Sequence, residues 1–140
     1  MYLLISFVLM WFLDSYLPVY VYLQSPWTYL GILPVVAGVA IAMVAVGRFK
    51  RAQTGIVPFD EATTLVTKGL YQYTRNPMYL GMFMILSGLA FMLGSISPLL
   101  PLGLFMLVIR YNFVAGEERF LEDAFGQDYL DFKTKVRRWL

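Results

Sequence analysis

The chain contains no cysteine and no histidine. The first absence excludes disulfide scaffolds, thiolate zinc sites and cysteine nucleophiles. The second removes the commonest general base and the commonest metal ligand, so no metal site is expected. Charge is scarce as well. Asp, Glu, Lys and Arg make up 14% of the 140 residues against 59% hydrophobic ones, too little polar surface for a soluble domain of this size. No GxGxxG, P-loop or HExxH motif is present, so the common soluble cofactor and metal sites are not signalled. Any chemistry must rest on carboxylates, arginine, lysine, tyrosine and the backbone, and lipid is the natural solvent.

Basic residues are missing altogether before Arg48. Arg48, Lys50, Arg51, Lys68 and Arg75 then share one connector, and Arg119, Lys133, Lys135, Arg137 and Arg138 share the tail. Such spacing suits a collar facing anionic lipid rather than a nucleic-acid groove, so the expected partner is the bilayer and not a nucleic acid. The apolar start lacks a basic n-region and a small-residue cleavage site, and no cleavable signal peptide is expected.

Four apolar stretches, 2–23, 28–47, 77–94 and 99–115, predict an all-α, polytopic membrane protein with about four spans and a single domain over 1–140. The first is interrupted by Asp14 and Pro18; Gln24-Ser25-Pro26 separates it from the second, and Ser95-Ile96-Ser97-Pro98 marks a tight turn between the last two. The two short turns carry no charge, whereas the connector 48–76 and the tail hold every Lys and Arg except Arg110. The positive-inside bias therefore predicts a cytosolic connector, cytosolic tail and two cytosolic termini. The membrane would be the plasma or inner membrane of a prokaryote, or the endoplasmic reticulum of a eukaryote. Ala37, Gly38, Ala42 and Ala45 predict close helix packing in the second span. Over 117–139 the residues Phe120, Leu121, Ala124, Phe125, Tyr129, Phe132, Val136 and Trp139 recur at helical intervals between charges, predicting an amphipathic tail broken near Gly126. Its apolar face would lie in the interface or fold back over the ends of the spans.

Three groups of residues could carry chemistry. Asn76-Pro77 is a good helix start, and Tyr71, Tyr73 and Tyr79 suit an interfacial aromatic belt; on physical grounds alone these structural readings come first. The functional reading is an anion site at a helix N-terminus beside Arg75, with rings able to hold an adenine or attract a sulfonium. Glu117-Glu118 either opens a solvated helix or receives an ammonium or hydroxyl group. Arg110, with Asn112, lies inside the fourth apolar stretch and either snorkels to the surface or contacts a substrate. Asp14 is expected at the outer interface.

In order, the chain reads Thr-Leu-Val-Thr-Lys-Gly-Leu-Tyr, then Arg-Asn-Pro-Met-Tyr-Leu-Gly, an apolar hairpin, Glu-Glu, and Phe-Gly-Gln-Asp-Tyr before a basic end. This order resembles the isoprenylcysteine carboxyl methyltransferase family and, more loosely, membrane phospholipid methyltransferases, over roughly 48–140. The resemblance implies S-adenosylmethionine as cofactor, held by Thr63, Thr64, Leu65, Val66, Tyr71, Asn76, Pro77, Met78, Tyr79 and Glu117. It also implies Arg75 beside the transferred methyl, with Arg110 as a substitute acceptor contact, and a lipophilic or lipidated acceptor; were that acceptor a lipid amine, it would arrive neutral or lose a proton to Glu118 or water. Two departures stand out: the family's His is Asn76, and its arginine one turn before Glu-Glu is Phe113. The alternatives are a sterol-reductase-type enzyme using a nicotinamide cofactor, which shares a similar helical scaffold, and a non-catalytic membrane scaffold.

Overall fold

The structure, a computed structural model, describes residues 1–52 and 64–140. Every element among them is helical: α1 (Tyr2–Tyr16), a 3-10 turn (Trp27–Gly31), α2 (Ile32–Ala52), a second 3-10 turn (Gly69–Gln72), α3 (Pro77–Leu93), α4 (Leu99–Val108), a π-helical stretch (Ile109–Val114), α5 (Ala115–Phe125) and α6 (Gln127–Lys135). They cluster into two compact units.

The first unit comprises Met1–Ala40 and Gly81–Val108. Here α1 is shorter than the apolar stretch that encodes it. Pro18 lacks an N–H and pushes the residue before it out of helical geometry, so the helix stops at Tyr16. Residues 17–23 run extended instead and lace the turn that joins α3 to α4. Val19 N donates to Ser97 Oγ at 3.0 Å, Ile96 N to Tyr20 O at 2.9 Å, and Tyr22 N to Gly94 O at 3.0 Å. Gly94 sits at φ +78°, and a Cβ there would lie 2.4 Å from Leu23 O, so only glycine fits the corner. Asp14 is half-buried and accepts a hydrogen bond from the Ser95 hydroxyl, which answers its polarity inside an apolar helix.

In the same unit the N-terminal part of α2, with the 3-10 turn before it, meets α3 along a seam of glycines. A Cβ on Gly31 would fall 2.3 Å from Gly88 O, and one on Gly38 would fall 2.5 Å from Gly81 O. The pairs run antiparallel with a seven-residue step on both sides, so two backbones touch where the sequence supplies no side chains. Of the small residues predicted to pack, Gly38 lies in this seam and Ala45 is buried in the core of the second unit, while Ala37 and Ala42 stay partly exposed.

Two stretches, Trp27–Arg48 and Leu99–Phe125, are long and apolar enough to cross a membrane, and Tyr2–Tyr16 and Pro77–Leu93 are shorter apolar helices. Their outward side chains stay exposed: Leu33 at 68% and Leu100 at 63% stand among many others. Apolar surface this continuous is unfavourable in water and natural in lipid, and the chain is a membrane protein.

The second unit comprises Ile109–Leu140 and the described residues of Ile41–Leu80. Its core is Ala45, Tyr71, Tyr129, Phe132 and Val136, with Leu65, Val66, Met78, Leu121 and Phe125 packed around them. The apolar face of α6 therefore folds back onto the connector and α2. The tail divides at Gly126, φ +52°, as its composition predicts. Its first half is not a separate helix, however. The π-helical stretch joins α4 to α5, so one helix runs from Leu99 to Phe125.

Candidate functional site

The second unit gathers most of the residues singled out in the sequence. Gly69, at φ +72°, lies against the Arg48 guanidinium and opens the 3-10 turn that lowers Tyr71 into the core, where it is 5% exposed. Thr74 follows, buried, and its Oγ1 accepts the Asn76 N–H at 3.3 Å. Asn76 then starts α3 through its carbonyl, which receives Leu80 N at 3.0 Å, while Pro77 is fully buried at the first helical position. The Asn76 side chain reaches across to the tail. Its Nδ2 donates to Arg138 O at 3.1 Å, and Thr74 Oγ1 donates to the same oxygen at 3.1 Å. Arg75 N donates to Arg137 O at 3.0 Å. Residues 74–76 are thus tied, one after another, to residues 137–138.

Glu117 and Glu118 are adjacent on α5 and take different partners, because neighbouring residues on a helix point about 100° apart. Glu118 is 6% exposed and bound by two guanidinium groups. Arg138 forks onto it, Nε to Oε1 at 2.9 Å and Nη2 to Oε2 at 2.6 Å, and Arg75 Nη1 lies 3.0 Å from Oε1. The Arg75 contact is close enough for an ion pair but lacks hydrogen-bond alignment, leaving its buried Nε and Nη1 without a hydrogen-bond acceptor among the described residues. Buried guanidinium donors left this way are costly and rare in folded proteins. Glu117 is half-buried. Tyr79 donates its hydroxyl to Glu117 Oε1 at 2.8 Å, and the Tyr79 ring packs 6.4 Å from that of Phe113. Among the described residues Glu117 has no Lys or Arg within ion-pair distance.

The phenols respond to this setting. Burial, and then the Glu117 carboxylate, raise the Tyr71 pKa well above the ordinary tyrosine value. Tyr129 is pushed up to about 12 by burial and by Glu118, against the opposing pull of Arg75, which donates a hydrogen bond to it. The Glu118 hydrogen bonds raise Arg138 above its ordinary value.

Of the expected cofactor residues, Tyr71, Asn76, Pro77, Met78, Tyr79 and Glu117 are brought into this unit together. Leu65 and Val66 pack on its core, Thr64 is exposed, and Thr63 lies outside the described residues. Leu65 also borders an open cavity of about 620 Å³, floored by Phe132 and Val136 and rimmed by Thr67, Gln72, Asp128, Asp131 and Lys135. Arg110 is exposed on the π-helical stretch, its guanidinium 5.5 Å from the Tyr111 ring, and no hydrogen bond or ion pair joins it to Arg75 or to either glutamate. Two residues that matter here went unread in the sequence. Arg138 looked like one more lipid-facing cation, and Tyr129 like one more apolar position of an amphipathic stripe. The π-helical stretch carried one signal, the polar pair Arg110 and Asn112 inside an apolar run.

Comparison with known proteins points one way. The family model described as phospholipid methyltransferase matches residues 26–128. An uncharacterized protein of Haemophilus influenzae is 43% identical over 63 residues, 45% of this chain and the whole of that protein. The protein-S-isoprenylcysteine O-methyltransferase of Schizosaccharomyces pombe is 33% identical over 72 residues, 51% of this chain and 30% of that protein. Its namesake from Saccharomyces cerevisiae is 31% identical over 114 residues, 78% of this chain. The chain spans 46% of that relative's length. No solved structure matches.

Proposed function

The chain belongs to the phospholipid methyltransferase family and is similar to protein-S-isoprenylcysteine O-methyltransferases, and on that footing we propose that it is an S-adenosylmethionine-dependent membrane methyltransferase. Its acceptor is lipophilic, a prenylcysteine-like carboxylate or a lipid. The observation that carries this reading is the pairing of two unmet demands in one unit. Glu117 is a half-buried carboxylate with no cation among the described residues, and Arg75, ion-paired with Glu118 and bonded to Tyr129, keeps its buried Nε and Nη1 without an acceptor among them. An amino-acid ammonium answers the first and an anionic acceptor answers the second, so the donor set fits both the cofactor and the reaction.

When bound, S-adenosylmethionine would supply a sulfonium methyl to an acceptor nucleophile by in-line displacement, with S-adenosylhomocysteine as the leaving group. Glu117 holds the cofactor's ammonium, and Tyr79 fixes the carboxylate by its hydrogen bond. Tyr71, Asn76, Pro77 and Met78, with Thr64, Leu65 and Val66 before them, would line the pocket; Thr63, expected beside them, lies outside the described residues. Arg75 orients the acceptor, and Arg110 is the candidate for a second contact from the lipid-facing side. An ionised carboxylate needs no general base, which suits a chain without histidine, and orientation supplies most of the rate. Both oxygens of Glu118 are committed to guanidinium groups, so its part is to hold charge in place and not to receive a proton. The connector and tail face the cytosol in this reading, as their basic residues favour.

Calorimetry with S-adenosylhomocysteine on the purified chain in detergent, alongside Glu117→Ala, tests the proposal. Saturable binding that the variant loses supports it. A folded wild type that binds nothing refutes it, and nicotinamide cofactors are then the ligands to try for the reductase alternative.

A further inference from the structure

Two arginines compete for one carboxylate in the second unit. Arg138 takes both oxygens of Glu118 in good hydrogen-bond geometry, while Arg75, nine-tenths buried, is left 3.0 Å from Oε1 with Nε and Nη1 lacking acceptors. Guanidinium and carboxylate normally pair as a two-bond fork, and nothing in the distance prevents Arg75 from forming one. The carboxylate edge that would take that fork is already held by Arg138, and the Arg75 guanidinium donates to Tyr129 instead. The backbone holds the occupant there: the carbonyls of Arg137 and Arg138 receive Arg75 N, Thr74 Oγ1 and Asn76 Nδ2, and the buried Val136 anchors the segment in the core.

We infer that Arg138 is a positioning residue for Arg75: by occupying Glu118, it keeps two guanidinium donors of Arg75 available to the acceptor. Arg138 itself is 37% exposed along its side chain, and its part is played through Arg75. Asn76 belongs to the same device. Its amide donates to the Arg138 carbonyl, so the residue that departs from the family's histidine fixes where the competing guanidinium sits. The acceptor half of this inference rests on the methyltransferase reading; the competition between the two arginines does not.

The test uses the full chain in detergent with nitrogen-15-labelled arginine, as wild type, Arg138→Gln, Arg138→Lys and the double variant Arg138→Gln/Glu118→Gln. Arg75→Lys assigns the Arg75 Nε–H resonance. In Arg138→Gln, Glu118 captures Arg75, and the Nε–H signal shifts and exchanges with water about tenfold more slowly, the scale of one charge-assisted hydrogen bond. In the double variant the carboxylate that captures Arg75 is gone and the fast exchange is restored, which a loss of folding would not produce. Arg138→Lys, charged but without a fork, falls between the two. KM for N-acetyl-S-farnesylcysteine, as probe acceptor, rises about tenfold in Arg138→Gln and recovers in the double variant, with S-adenosylhomocysteine affinity unchanged throughout. An Arg75 signal that stays put in Arg138→Gln, or is not restored in the double variant, overturns the inference. A shifted signal with unchanged KM overturns its acceptor half. A wild type that binds no S-adenosylhomocysteine refutes the methyltransferase reading alone, since the Arg75 signal still decides whether Arg138 holds Glu118 away.

Discussion

A methyl group added at Gly38 would sit 2.5 Å from the Gly81 carbonyl oxygen and 2.9 Å from the Ile85 backbone nitrogen. Both neighbours are main chain, so no side chain can swing aside and the two helices must part. Gly47 lies nine residues further along the same helix, and a methyl there meets nothing within 4 Å. The comparison cancels helix propensity, which favours alanine over glycine by about 1 kcal/mol at either position. What remains is overpacking, about 1–3 kcal/mol, together with the dispersion attraction forfeited as the seam opens. Gly38→Ala should therefore unfold at a lower temperature than Gly47→Ala by about 2–4 °C per kcal/mol, read as thermal unfolding in one detergent. Gly88→Ala, whose Cβ would lie 2.4 Å from Gly31 O, should behave like Gly38→Ala, and Gly103→Ala, with open space around it, like Gly47→Ala. Equal melting temperatures for Gly38→Ala and Gly47→Ala would refute the close backbone approach.

Three further outcomes are expected. Tyr79→Phe removes the hydroxyl that fixes Glu117 and should weaken S-adenosylhomocysteine binding about tenfold by calorimetry, the scale of one hydrogen bond to a charged group; unchanged affinity would remove Tyr79 from the proposed pocket. Ser95→Ala strips Asp14 of its donor and should cost about 1–3 kcal/mol in thermal unfolding, most of it regained in Ser95→Ala/Asp14→Leu, which leaves no carboxylate to satisfy. Tyr129 titrates at about 12 in the folded chain against about 10 unfolded, so its neutral form favours the fold. That contribution is complete below pH 10 and is lost as pH rises towards 12. Subtracting the Tyr129→Phe titration from the wild-type phenolate absorbance should isolate one step near 12, and a step at the ordinary tyrosine value would contradict the burial described.

Much of the helical layout was legible because its causes are local. Pro77 begins α3 and Gly94 turns the chain after it, the positive-φ Gly126 divides the tail, and the apolar runs set which segments seek lipid. Where the layout differed, a local rule was underweighted: Pro18 ended α1 at Tyr16, and a π-helical stretch carried α4 into α5 without a break. Identity and spacing likewise placed Tyr71, Arg75, Asn76, Tyr79 and the glutamate pair as the residues worth watching. Their partners were beyond sequence, because each depends on which distant backbone arrives beside it. Gly38 needs Gly81 opposite, Asp14 needs Ser95, and Asn76 spends its amide on a carbonyl 62 residues away. Composition determined that this chain lives in lipid and that any chemistry falls to carboxylates, guanidiniums and phenols. Only the tertiary structure decided that Glu117 faces a phenol while Glu118 is shared by two arginines, because helix rotation separates neighbours that the sequence prints side by side.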